Sequence, residues 1–456
     1  MDFISTRGGT PPLKFSTILL QGLAPDGGLF VPYEWPQIPP ILDTDNYTEI
    51  AYKVISPFTS DCIPEESLRQ ILSDTYSASV FKNSDIAPLS PIGDDLFLME
   101  LFHGPTLAFK DIALQFLGRI FDYILEQDRQ KITIIGATSG DTGSAAIESF
   151  KGRKNISITI LHPKGRTSDI QRRQMTSVIE ENVHNIAIEG TFDDCQNLVK
   201  TAFADPQLRE SRNLSAINSI NWARIIAQTV YYVSAAKSLK KEAVFSVPTG
   251  NFGNVYAAFV AKKMGANIGP LVIGSNRNDI LTRFFETGQM KLEPVIPSHS
   301  PSMDIQISSN FERALFEIIN RDAHQLDIWM NAFKKTGEFN VPAPYLEKIR
   351  SEFLAYRCSD ADTITMISDT YTNHQHIIDP HTAVGLHALK QSGYIHHKPC
   401  VALACAHPSK FPDVVKQATG VSPKLPPHLI DLMERPEKYQ IMQNDYQSLR
   451  DHLLSV

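Results

Sequence analysis

The stretch GPTLAFKD, residues 104–111, places a lysine in apolar company: Lys110 is flanked by Leu107, Ala108, Phe109, Ile112 and Ala113. A lysine at a helix start commonly lays its stem along apolar surface and keeps its ammonium in water. One drawn away from water loses its proton more easily, and a neutral amine attacks aldehydes. Three further stretches bear on which of the two holds. ATSGDTG (137–143) follows the apolar run KITIIG and precedes a helical pattern. Thr138, Ser139 and Thr142 offer hydroxyls, Gly140 and Gly143 let backbone amides approach a ligand, and a helix N-terminus favours an anion. The same residues also suit a tight turn with capping hydroxyls. TGNFGN (249–254) follows AVFSVP, and its glycines suit a cradle of N–H groups around a phosphate. It is neither a Walker loop nor GxGxxG. NSINWAR (218–224) carries Asn218, Ser219 and Arg224, and a guanidinium fork suits carboxylate or phosphate.

A nucleophilic lysine, a phosphate cradle and a carboxylate-sized anion loop together point to pyridoxal 5′-phosphate and an amino-acid substrate. Lys110 would hold the cofactor as a Schiff base, and NSINWAR would supply a second anion site. ALACAHPSKF (402–411) closes a strand at Cys405, with His407, Pro408 and Lys410 just beyond. A lone histidine or a buried cysteine is commonly structural.

These loops need strands and helices to hold them. DLFLMEL (95–101), KITIIG (131–136), ISITILHP (156–163), VHNIAIEG (183–190), AVFSVP (243–248), LVIGS (271–275) and CVALACA (400–406) read as strands. Asp111 to Gln127 has helical spacing, with Leu114, Leu117, Ile120, Phe121 and Ile124 on one face. SAAIESF (144–150) reads as a helix start, and Thr191 as an N-cap. Apolar runs without strict alternation, separated by helices, imply an α/β fold with parallel sheets covered on both faces. Residues 1 to about 90 are rich in turns, as in Asp26-Gly27-Gly28 and PQIPPI (36–41), and read as a smaller α-rich N-terminal domain. SPFTSDCIPEESLRQIL (56–72) reads as a loop leading into a helix, and the last residues as helix.

Composition narrows the function classes. The 456 residues are 42% hydrophobic and 20% charged, as in an ordinary globular protein of two or three domains. The net charge of -7 gives no electrostatic case for nucleic acid or an anionic membrane surface. Cys62, Cys195, Cys358, Cys400 and Cys405 are odd in number and form no CxxC pair. That argues against a disulfide framework or a bound metal and fits a reducing compartment. No signal peptide and no apolar run long enough to span a bilayer is visible, so a cytoplasmic protein is expected.

The chain resembles the threonine synthase family in its longer microbial form. The resemblance rests on STRGG (5–9), QGLAPDGGLFVP (21–32), ELFHGPTLAFKD (100–111), ATSGDTGSAA (137–146), NSINWARI (218–225), SVPTGNFGN (246–254), PSMDI (301–305) and AHPSKF (406–411), in the family's order. It implies a fold-type II pyridoxal-phosphate enzyme like the tryptophan synthase β chain. An N-terminal family domain would span 1–90 and a catalytic α/β region 91–425, with two subdomains and the cofactor between them. A C-terminal helical segment would span 426–456. The reaction implied converts O-phospho-L-homoserine and water to L-threonine and phosphate. Lys110 matches the Schiff-base lysine. Gly250, Asn251, Phe252, Gly253 and Asn254 match the cofactor phosphate loop. Thr138, Ser139 and Thr142 match the substrate carboxylate loop, and Asn218, Ser219 and Arg224 the substrate phosphate site. Asp141 stands where many relatives have Asn near the cofactor's phenolic oxygen. Cys405 stands where relatives often have Thr at the pyridine nitrogen, and is a weaker hydrogen-bond partner. Family members of this form are often monomeric, so a monomer or weak homodimer is expected.

Two other reactions stay open: a phospholyase releasing 2-oxobutyrate, whose threonine-synthase-like members share these motifs, and a serine/threonine dehydratase of the same fold. Arg224 and its neighbouring asparagines argue against the dehydratase, whose substrate lacks phosphate. A non-catalytic relative would have lost its lysine or a loop glycine, and all are present.

Overall fold

The computed structural model describes residues 1–138, 140–216 and 218–456. They form two compact units, each assembled from two separate parts of the chain: Met1–His103 with Ser219–Pro423, and Gly104–Asn218 with Lys424–Val456.

The first unit is built on a six-stranded sheet. Its order is Phe353–Arg357, Ile268–Ser275, Ala243–Pro248, Cys400–Ala404, Leu96–Glu100 and Leu89–Gly93. All neighbours are parallel except the last pair. The central strands read AVFSVP and CVALA and are buried at every position. That is the signature of strands covered on both faces. The edge strand LSPIG contains Pro91, which an outer position tolerates because no ladder donor is needed there.

The second unit holds five strands in the order Gln440–Gln443, Val183–Glu189, Ile156–Pro163, Ile132–Ala137 and Leu214–Ser215, all parallel. Its long helix Lys110–Asp128 buries Leu114, Leu117, Ile120, Phe121 and Ile124, the expected face, and much of the rest as well. Thr191 caps the helix Phe192–Ala204 in a capping box with Asp194. Mixed α/β architecture with parallel sheets is therefore what the chain adopts. The strands of these two sheets missing from the sequence reading are short or lie at edges, where the apolar pattern is weak: Leu89–Gly93, Leu214–Ser215, Phe353–Arg357 and Gln440–Gln443. The C-terminal segment thus contributes a strand as well as the helix Tyr446–Ser455.

Two local expectations need correction. The turn-rich N-terminal part also carries a three-stranded antiparallel sheet of Asp2–Ser5, Leu13–Lys14 and Phe30–Pro32, too short to show a period. Residues 56–59 are not loop but the end of the helix Tyr47–Thr59, which contains Pro57. The proline forfeits one hydrogen bond in that last turn, and the buried stripe Tyr47, Ile50, Ala51, Val54, Ile55 and Phe58 outweighs the loss. This segment has a positional consequence. Phe3 and Phe58 pack edge-on against Trp222 at 5.8 and 5.7 Å between ring centroids. They anchor the start of the helix Trp222–Leu239, which carries Arg224.

At the end of the strand Ile156–Pro163, His162 is 1% exposed. Burial pushes its imidazole down to about 4 from 6.5, with the Pro163 carbonyl opposing and the Arg172 charge adding to the fall. An unfolded histidine therefore takes up its proton first, and stability drops as the pH falls from 6.5 to 4. The loss is on the order of 3 kcal/mol across that window. Urea midpoints of the His162→Leu variant are expected to lose this part of the acid slope.

Candidate active site

In the second unit the apolar lysine of GPTLAFKD opens the helix Lys110–Asp128. The loop before it is pinned by the following residue. Asp111, fully buried, accepts the Thr106 N–H at 2.8 Å and the Thr106 hydroxyl at 2.6 Å. Gln174 Nε2 donates to the Thr106 carbonyl at 3.0 Å. Leu107 holds a left-handed φ of 62° in this turn, a conformation that persists in a branched residue only when its surroundings fix it. The Lys110 side chain is 10% exposed, and its Nζ lies 3.5 Å from Asp141 Oδ2 and 4.7 Å from the centre of the Phe109 ring.

Asp141 opens the helix that follows the strand Ile132–Ala137. Thr138 shapes this turn: its Oγ1 accepts the N–H groups of Gly140 at 3.0 Å and Gly143 at 2.9 Å. Those bonds occupy its lone pairs and leave its hydroxyl hydrogen to be donated. Thr142 is half-buried in the first helical turn, and Asn218 is half-buried at the end of this unit's first part. Ser139 lies outside the described residues.

The first unit carries the remaining candidates. Asn221 caps the helix Trp222–Leu239 by accepting the Ala223 N–H at 3.0 Å. Arg224, the third residue of this helix, is 4% exposed, and burial pulls its guanidinium down to about 10. It stays cationic at neutral pH. The Ser219 carbonyl accepts from Asn310 Nδ2 at 3.1 Å.

After the strand Ala243–Pro248, two carbonyls of the loop 249–254 are held by neighbouring residues, and the Phe252 N–H donates to Thr249 Oγ1 at 3.1 Å. Gly250 O accepts from Ser308 Oγ at 2.7 Å, and Asn251 O accepts from both the N–H and Nδ2 of Asn310 at 3.1 Å. The helix Gly253–Lys263 then begins with N–H groups that have no partner further back in the helix. A Cβ on Gly250 would stand 2.8 Å from Ile305, so only glycine fits. Asn254, 5% exposed, has its Oδ1 held by the hydroxyls of Tyr231 and Tyr232, while its Nδ2 is buried with no hydrogen-bond partner among the described residues. An orphaned amide donor beside a turn with glycine at 250 and 253 and a helix N-terminus fits the phosphate of pyridoxal phosphate. Cys405 is buried just beyond the strand Cys400–Ala404.

Several residues of these surroundings escaped the sequence reading. Gln171 and Gln174 belong to SDIQRRQ, whose polar spacing reads as a surface helix. Tyr231 and Tyr232 read as core aromatics.

The family description "Pyridoxal-phosphate dependent enzyme" matches residues 85–327, "Threonine synthase N terminus" matches 2–76, and "Threonine synthase, C-terminal" matches 382–453. A curated threonine synthase of Pseudomonas aeruginosa is 45% identical over 453 residues, 98% of this chain and 96% of that protein. The crystal structure of PLP-bound threonine synthase from Brucella melitensis superposes with a TM-score of 0.97 at 47% identity, covering 99% of this chain and 98% of the other. The yeast threonine synthase structure gives a TM-score of 0.93 at 37% identity, covering 100% and 98%. The fold is thus that of fold-type II pyridoxal-phosphate-dependent enzymes, and the chain is one of that class. Within it, the chain belongs to the threonine synthase family.

Proposed function

We propose that the chain converts O-phospho-L-homoserine and water to L-threonine and phosphate, with Lys110 as the group that holds the cofactor and moves the protons at Cα. The observation that carries the reading is the buried Lys110 ammonium 3.5 Å from Asp141 Oδ2. A lysine kept from water beside one carboxylate can alternate between charged and neutral forms, as a base that must later act as an acid requires.

The bound cofactor supplies an electron sink for carbanion chemistry next to the substrate amine. Lys110 Nζ takes the proton from Cα. Loss of a proton at Cβ then expels phosphate from Cγ, Cγ gains a proton, and water adds at Cβ. Lys110 returns a proton to Cα. Asp141 holds the ammonium form between these transfers. Thr138, Ser139 and Thr142 orient the substrate carboxylate. Asn218, Ser219 and Arg224 hold its phosphate, and the loop 250–254 holds that of the cofactor. Cys405, buried just beyond its strand, would face the pyridine nitrogen.

The protein incubated with pyridoxal phosphate and O-phospho-L-homoserine is expected to release threonine and phosphate in equal amounts. Phosphate with 2-oxobutyrate and ammonia, and no threonine, would replace this reading with a lyase. No phosphate would remove the substrate assignment.

Arg224 offers a separate check. Arg224→Met is expected to raise KM for the phosphorylated substrate on the order of 10²-fold while kcat changes less. Inhibition by inorganic phosphate should weaken in parallel.

A monomer or weak homodimer acting in the cytoplasm completes the proposal. In its support, the five cysteines are unpaired and four are buried, as in a reducing compartment. Among the described residues no helix is long and apolar enough to cross a membrane.

A further inference from the structure

The helix Asp169–Thr176 is preceded by Ser168, and the order Ser168-Asp169-Ile170-Gln171 has the spacing of a capping box. In such a box the glutamine side chain turns back onto the N-cap amide. Here only the first half forms: Ser168 Oγ accepts the Gln171 N–H at 3.3 Å. The Gln171 carboxamide goes elsewhere. Its Nε2 donates to Asp141 Oδ1 at 2.9 Å, thirty residues away in sequence, and its Oε1 accepts the Ser168 hydroxyl at 3.1 Å. Because a hydroxyl donates to Oε1, the amide end that faces Asp141 is the donor. The other Asp141 oxygen, Oδ2, is the one 3.5 Å from Lys110 Nζ. Gly140 leaves the passage open, since a Cβ there would stand 2.4 Å from Gln171 Cδ. A good capping partner has been diverted to a carboxylate at the first residue of another helix.

We propose that Gln171 is a positioning residue of the active site. It fixes the rotation of the Asp141 carboxylate, so that Oδ1 is satisfied by the amide and Oδ2 stays turned to Lys110. The inference rests on the assignment of Lys110 and Asp141 above. Asp141 is 5% exposed, and a buried carboxylate stripped of a donor is harder to keep ionised. Without Gln171 it loses both its orientation and part of its hold on the Lys110 cation.

The test is Gln171→Met, which keeps length and burial but has no amide, compared with the parent as holoenzyme. The ratio of protonated to unprotonated absorbance bands of the lysine-linked cofactor, read at one fixed pH, is expected to shift several-fold toward the unprotonated band. The kcat should fall on the order of 10²-fold, as for an ångström-scale misplacement, with KM and the thermal midpoint close to the parent's. Gln171→Asn, polar but one methylene short of Asp141, should shift the ratio in the same direction, and decides the matter if the Met variant does not fold. An unchanged band ratio and kcat in a folded variant would overturn the proposal. A lysine-linked absorbance that persists in Lys110→Ala would instead overturn the assignment on which it rests, so the two failures are distinguishable.

Discussion

Alanine at position 110 is expected to leave a folded protein that forms no lysine-linked visible absorbance with pyridoxal phosphate. Its kcat/KM for O-phospho-L-homoserine should fall at least on the order of 10⁴-fold. The size follows from the number of tasks placed on one atom. Nζ anchors the cofactor, takes a proton and gives one back, and among the described residues no other lysine of the second unit has so buried an ammonium beside a carboxylate at a helix start. Stability is expected to change little. The Lys110 ammonium lies 4.7 Å from the centre of the Phe109 ring, and the loss of that contact is offset by the removal of a charge from a nearly dry site. Lys110→Arg serves as a control: the cation remains next to Asp141, but a guanidinium does not condense with an aldehyde, so the absorbance should be missing there too. Full turnover by the alanine variant would dismiss the proposed mechanism.

Gly118→Ala is the second large effect, and it acts from a distance. Gly118 lies in the helix Lys110–Asp128, and a Cβ there would stand 2.2 Å from the carbonyl oxygen of Ser149 and 2.9 Å from its carbonyl carbon. Ser149 belongs to the helix Asp141–Phe150. The obstruction is backbone, so no rotamer change relieves it, and the two helices must separate. Overpacking of this kind costs about 3 kcal/mol at the upper end of its usual range, readable as a drop in the urea midpoint. The same two helices carry Lys110 and Asp141 at their first residues. A shift of an ångström between them should lower kcat on the order of 10²-fold in the fraction that remains folded. A variant with parental stability and turnover would show that the helices do not need this close approach.

What could be read in advance divides along physical lines. ISITILHP and AVFSVP were recognisable to the residue because a strand buried on both faces is a short, dense apolar run with sharp ends, broken here only by small polar residues and His162. The lysine loop and the two glycine turns were visible because their residue types are unusual for the places they occupy. The edge strand Gln440–Gln443 was not visible. With one flank in solvent its residues alternate in no clear period, and its partner Val183–Glu189 is far away in sequence. Gln171 was hidden for a different reason. Its spacing from Ser168 announces a local cap, and only the position of Asp141 shows that the amide serves something else. Tyr231 and Tyr232 were hidden likewise: adjacent aromatics in an apolar helix announce a core, and nothing in their spacing says that both hydroxyls converge on Asn254.

The strand Gln440–Gln443 closes one edge of the five-stranded sheet, yet it lies close to the end of the chain. During synthesis, residues 104–218 leave the ribosome with one flank of Val183–Glu189 unpaired. It stays so while the whole of 219–423 is made. An open, apolar strand edge of that duration is an invitation to pair with a neighbouring chain. The nascent protein is therefore most vulnerable in the middle of its translation, and a chain that stops before residue 440 should accumulate in aggregates however sound its catalytic residues are.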